Sequence, residues 1–155
     1  MPTSSYQLVP ITEVQAELLR ERDATVYISD KHPGYPCRQC LQDADIGDEL
    51  ILVSHDPFHS ASPYRSSSPI FIHRRSCQPY VETSDGLPLQ LTGRQLSVRL
   101  FDCNEMMIDA TLIDGTELGA TLNRFFQTDG ADQVHVHNAV RGCWAVTVQL
   151  ATPSH

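Results

Sequence analysis

Lysine is almost missing from this chain: Lys31 stands alone against ten arginines. Basic residues of both kinds number 11 against 19 acidic ones, for a net charge of −8. A chain of that sign repels phosphate backbones, which argues against sequence-independent nucleic-acid binding. No stretch approaches the roughly 20 consecutive apolar residues that a membrane span requires. Met1 to Tyr6 carry neither the positive region nor the apolar run of a secretion signal, so the expected location is cytoplasmic. Five cysteines are an odd number, and in a reducing compartment they are expected as free thiols rather than a closed disulfide set. No Gly-rich phosphate cradle and no G-x-S-x-G elbow occurs.

What is present is one domain's worth of chain, 155 residues with 41% apolar side chains, expected to fold as a single domain over 1–155. A short strand or extended lead-in over 4–11 is broken by Pro10. Thr12 and Gln15 have capping-box spacing, and the helix they open carries Val14, Leu18 and Leu19 as an apolar stripe, ending near Asp23. Thr25–Ile28, Glu49–Val53 and Pro69–His73 read as strands, separated by two long aperiodic loops. Gln95–Asp102 and Met106–Ile113 alternate about a turn at Asn104. A helix follows, capped by Asp114, with Leu118, Leu122, Phe125 and Phe126 on its apolar face. Gln133–Asn138 and Cys143–Leu150 form a last hairpin. The expected fold is α+β: a mainly antiparallel sheet with about two helices, its two C-terminal hairpins separated by a helix.

Register sharpens the last third. Val134 and Val136 share a core face, which Trp144, Val146, Val148 and Leu150 can join. The other face then carries His135, His137, Cys143, Ala145 and Thr147, and a hairpin paired the same way adds Arg99, Asp109 and Thr111. Two histidines beside an Asp and an Arg suit a metal site, an acid–base pair or an anion pocket. They equally suit the solvated side of an antiparallel sheet. A metal there would need a third ligand, for which Asp109 or His59 are the available residues. Cys103 and Cys143, in strand-like runs, read as core thiols.

A second cluster is Cys37-Arg-Gln-Cys40, followed by His73 and Cys77. C-x₂-C with H-x₃-C has the ligand types and short spacings of a structural zinc site, although no glycine occupies the knuckle turn. Two reduced, partly buried thiols are the alternative. Arg38, Arg65 and Arg141 lie in loops or turns, the first two beside Tyr and Pro. Arginine grips carboxylate or phosphate with a rigid two-pronged fork.

Gly34-Tyr-Pro-Cys-Arg38, Ser62-Pro-Tyr-Arg65 leading into Ser68-Pro-Ile-Phe71, Met107-Ile-Asp-Ala110, His135-Val-His-Asn138 and Arg141-Gly-Cys143 together resemble a bacterial family known as domain of unknown function 1203. The likeness runs over about 26–148, with Ser68 where that family commonly has Gly. It implies a small soluble bacterial protein and supplies no activity.

Three functions are expected from these residues. The first is binding of a small anionic molecule, with Arg38, Arg65 and Arg141 as the clamp, Tyr64 as a wall, and His135, His137 and Asn138 as hydrogen-bonding groups. The second is an enzyme in the same cleft, with His135 or His137 as base and Asp109 as the orienting acid. The third is a protein-interaction domain clipped by zinc on Cys37, Cys40, His73 and Cys77. No nucleic-acid or membrane partner is expected.

Overall fold

Two antiparallel sheets organise the chain in a computed structural model that describes residues 6–83 and 86–151. The elements run β1 (Tyr6–Val9), α1 (Glu13–Arg20), β2 (Thr25–Ile28), β3 (Glu49–His55), β4 (Ser68–His73), α2 (Leu89–Thr92), β5 (Gln95–Phe101), β6 (Met107–Asp114), a 3-10 turn (Gly115–Glu117), α3 (Leu118–Phe125), β7 (Gln133–Asn138) and β8 (Trp144–Leu150). The larger sheet has the order β1-β8-β7-β5-β6 and the smaller one β2-β3-β4. The fold is therefore α+β with both C-terminal hairpins in place, and with three helices, of which α2 is a single four-residue turn. The lead-in becomes an edge strand, Tyr6 facing Leu150; its first residues, Ser4 and Ser5, lie outside the described region.

Alternation places Leu96, Val98, Leu100, Val134, Val136, Val146 and Val148 on one face of the larger sheet. Leu91, Leu118, Leu122 and Phe125 of α2 and α3 cover them to form the first core. A second core joins Ala16 and Leu19 of α1 to Ile51, Val53, Ile70 and Ile72 of the smaller sheet, with Cys37, Cys40 and Trp144. The capping box between Thr12 and Gln15 forms in full. The stripe it was expected to head is rotated, however: Val14 and Leu18 face solvent, and Ala16 with Leu19 is buried. Ala16 and Leu19 lie three apart, and α1 meets its neighbours along that row.

Trp144 corrects the register expected for the last hairpin. Val136 faces Val146, but His137 faces Trp144, so Ala145 is an extra residue on β8. This β-bulge keeps Ala145 in the first core and turns Trp144 to the opposite face, where it packs in the second. The expected core thiols also move. Cys103 is exposed in the β5–β6 turn and Cys143 is half-buried just before β8.

Candidate metal centre and the histidine face

The 37–41 segment makes a tight turn in which the Leu41 N–H donates to the Cys37 carbonyl at 3.1 Å. Leu41 takes a left-handed φ of 57°, the conformation that a knuckle glycine would otherwise supply. The Arg38 N–H donates to the Phe71 carbonyl at 3.0 Å and stitches the turn beside β4. His73 ends β4, and Cys77 sits in the loop just beyond. The three sulfurs of Cys37, Cys40 and Cys77 and one ring nitrogen of His73 all lie within 4.8 Å of one another. This cluster could hold a metal ion. Two of its edges can be compared with tetrahedral geometry: Cys37 Sγ to Cys77 Sγ and Cys40 Sγ to His73 Nδ1 are each 3.8 Å. Zn–S and Zn–N bonds near 2.3 and 2.0 Å imply tetrahedral edges of about 3.8 Å between sulfurs and about 3.5 Å between sulfur and nitrogen.

The surroundings of the cluster are built as well. His73 Nε2 lies 3.1 Å from Asp48 Oδ2, so a proton on Nε2 is fixed by the carboxylate and Nδ1 is turned towards the sulfurs. Arg20 Nε donates to the His73 carbonyl at 2.9 Å, and Arg20 Nη2 to Gln39 Oε1 at 2.7 Å. Gln39 in turn donates to Glu13 and accepts from Cys77. Without a metal, contacts from Cys40 and Cys77 draw the Cys37 thiol far below its ordinary pKa, against the effect of burial. Contact with Cys37 and Cys40 lifts His73 to about 11, and contact with those same thiols pushes the Cys77 thiol up. These opposed shifts describe a proton shared out between the Cys37 thiol and the His73 ring, two groups in direct contact inside the cluster. Asp48, Gln39 and Arg20 carry no local sequence signal: Arg20 reads as a surface cation, and Asp48 reaches His73 only because Leu50 pairs with His73 across β3 and β4.

The histidine face is buried rather than solvated. His135 is 0% exposed, its ring against Phe58 and Phe101, with Nε2 3.3 Å from Gln133 Oε1 and Nδ1 without a partner. His137 Nδ1 donates to the Gly142 carbonyl at 2.9 Å, which leaves Nε2 as the acceptor facing Arg99 Nη1 at 3.4 Å. The cover over His135 is the 56–64 loop, pinned by Glu105, a residue with no sequence-level signal. Its carboxylate accepts from the His59 and Ser60 N–H groups, the Ser60 hydroxyl and Gln133 Nε2. Burial works to raise the Glu105 pKa, but these donors outweigh it and hold the group below its ordinary value.

The expected anion clamp does not converge. Arg38, 1% exposed, spends its guanidinium on the Trp144 carbonyl (2.8 Å), the Pro36 carbonyl (2.6 Å) and Cys143 Sγ (3.1 Å). Arg65 pairs with Asp56 at 2.7 Å and the Ser60 carbonyl at 3.1 Å. Arg141 is exposed in the β7–β8 turn, and Asn138 is seen bonding there through its main chain. Tyr64, also exposed, leans its ring edge on Phe101. Asp109 is corrected outright: it faces Leu100 in the register, on the opposite side of the sheet from Arg99 and His135, and its carboxylate accepts from the Ala110 N–H. It therefore cannot orient either histidine or join them on a metal. His59 meets this network through its backbone N–H.

A sequence profile of a family described as Protein of unknown function (DUF1203) matches residues 34–149. The chain belongs to that family. It matches no curated protein and no solved structure. No helix among the described residues is long and apolar enough to cross a membrane.

Burial holds His55, His135 and His137 each down at about 4, against about 6.5 in an unfolded chain. The neutral rings are favoured by folding, so their contribution is complete above pH 6.5 and is lost as pH falls towards 4. The urea midpoint should accordingly fall steeply between pH 6.5 and 4. His135→Gln should shallow that slope relative to wild type, measured by denaturation at matched ionic strength.

Proposed function

We propose that the protein is built around one structural zinc ion, held by Cys37, Cys40, His73 and Cys77. The observation that carries this is the mutual approach of four ligand atoms from two separate segments, with Asp48 behind His73. Three thiolates and an imidazole suit zinc, and four protein ligands close a tetrahedron, leaving no open position for substrate. The ion's role is then mechanical. It clamps the 37–41 turn to the end of β4 and, through Gln39 and Arg20, to α1. A clipped surface of this kind serves an interaction domain.

Purified protein should contain one zinc per chain by elemental analysis, and a strong chelator should lower its melting temperature. Cys37→Ser and Cys77→Ser should each abolish stoichiometric metal. Asp48→Ala should keep the four ligands yet weaken metal affinity by roughly 10- to 100-fold in a competition titration. Absence of stoichiometric metal together with full stability in chelator overturns the proposal.

Small-anion binding is supported by a different arginine from those in the loops. Arg99 is half-buried on the histidine face, bonded to Ser97 Oγ and near His137, with no carboxylate partner among the described residues. Burial lowers its pKa, so an anionic ligand would relieve the cost of desolvating it. Millimolar citrate should raise the melting temperature of wild type and not of Arg99→Met; an equal rise in both excludes this site.

A further inference from the structure

The larger sheet ends on β6, which pairs with β5 and with no other strand among the described residues. An edge strand presents a row of unpaired N–H and C=O groups that another strand can join. The hydrogen bonds around β6 identify the residues of that row. The Ala139 N–H donates to the Gln95 carbonyl, and the Gly115 N–H donates to the Arg94 carbonyl. Odd-numbered residues of β5 therefore point their main-chain groups towards β7, and odd-numbered residues of β6 point theirs towards β5. Ile108, Ala110 and Leu112 are left facing outwards. In agreement, the Ala110 N–H donates to the carboxylate of its own neighbour Asp109, at 2.8 Å.

The side chains of this row are apolar and in water. Ala110 faces Arg99 and Leu112 faces Ser97 in the register, so the row lies on the histidine face. Ile108 continues it at 40% exposure, Ala110 is exposed, and Leu112 is 66% exposed. The row is also short, because a bulge interrupts β6 at Ile108 and the 3-10 turn begins at Gly115.

A row of this kind can pair with its own copy, and the side chains select one register. With a two-fold axis through Ala110, Ile108 faces the second copy's Leu112, and Ala110 faces Ala110. On the other face Asp109 lies opposite Thr111. Moving the axis to Asp109 sets two carboxylates face to face, and moving it to Thr111 sets Ile108 against Asp114. Directly opposed side chains in an antiparallel pair interact strongly enough for these differences to matter. We propose that a second copy of this chain docks on β6, antiparallel and about Ala110, joining the two five-stranded sheets into one. The Ala110 N–H then exchanges the Asp109 carboxylate for the carbonyl of its counterpart. So short a contact belongs to the weak class of interfaces, and the dimer forms and dissociates with concentration. The edge belongs to the larger sheet, so the proposal does not rest on the zinc reading.

Sedimentation equilibrium of full-length protein is the test. The weight-average mass should rise with concentration towards twice 17.3 kDa. Ile108→Lys and Leu112→Glu, both at exposed positions and checked for folding by circular dichroism, should each raise the dimer dissociation constant by roughly tenfold or more. Mixing the two variants should restore the dimer, since the lysine of one then faces the glutamate of the other while Leu112 and Ile108 meet at the second contact. A wild type that stays monomeric at every concentration overturns the proposal and leaves the edge to some other partner. A dimer indifferent to both variants overturns it by placing the interface elsewhere, and variants that fail to associate when mixed overturn the register.

Discussion

One extra residue in a strand holds the two halves of this molecule in their relation. The bulge at Ala145 rotates β8 so that its first residue leaves the first core and enters the second. Trp144 then sits among the side chains of α1, β3 and β4 while its backbone remains in the larger sheet. Its N–H takes the Ser68 hydroxyl, its carbonyl takes Arg38, and its indole N–H takes Thr147. A regular ladder would have placed the indole against α2 and α3 instead. The second core would have lost its one large aromatic, and Arg38 would have lost a buried acceptor. A guanidinium removed from water is tolerated only when its donors are met, so the bulge also accounts for how Arg38 can be buried.

Burial on both faces is what turns the β5–β7 pair into a polar interior. One side carries aliphatic side chains under helices. The other carries Arg99, His135 and His137, with Phe58 of the 56–64 loop packed on the His135 ring. The loop stays down because Glu105, at a left-handed φ of 59°, gathers its N–H groups into one carboxylate. Neutral imidazoles are the affordable form there, and their depressed pKa values follow from the absence of water rather than from any acid partner. Asp109, which strand alternation read from the sequence offers as that partner, is on the other side of the sheet.

Strands and the longer helices are legible in the sequence, because alternation in 95–113 and 133–150 and the cap at Thr12 are local signals; the Asp114 cap expected for the next helix instead closes the 3-10 turn before it, and Glu117, at the head of α3, makes no side-chain cap. The four metal-binding candidates are legible too, since short C-x₂-C and H-x₃-C spacings survive without knowledge of the fold. Their long-range supports are not. Asp48 meets His73 through strand pairing, Gln39 meets Cys77 through a turn, and Glu105 meets Ser60 across 45 residues of chain. The loop arginines mislead for a related reason: sequence shows a cation near Tyr and Pro but not that its donors are already committed. A bulge has no one-residue signature, so the placement of Trp144 was equally out of reach.

All four atoms of the candidate metal cluster come from residues 37–77, whereas the larger sheet is complete only when Tyr6 pairs with Leu150. A growing chain therefore contains the whole candidate cluster before β5 to β8 exist, while β1 has to wait for the last strand made. Trp144 is the late arrival that fills the older core. The order of synthesis and the order of assembly run in step for the small sheet and are stretched across almost the whole chain for the large one.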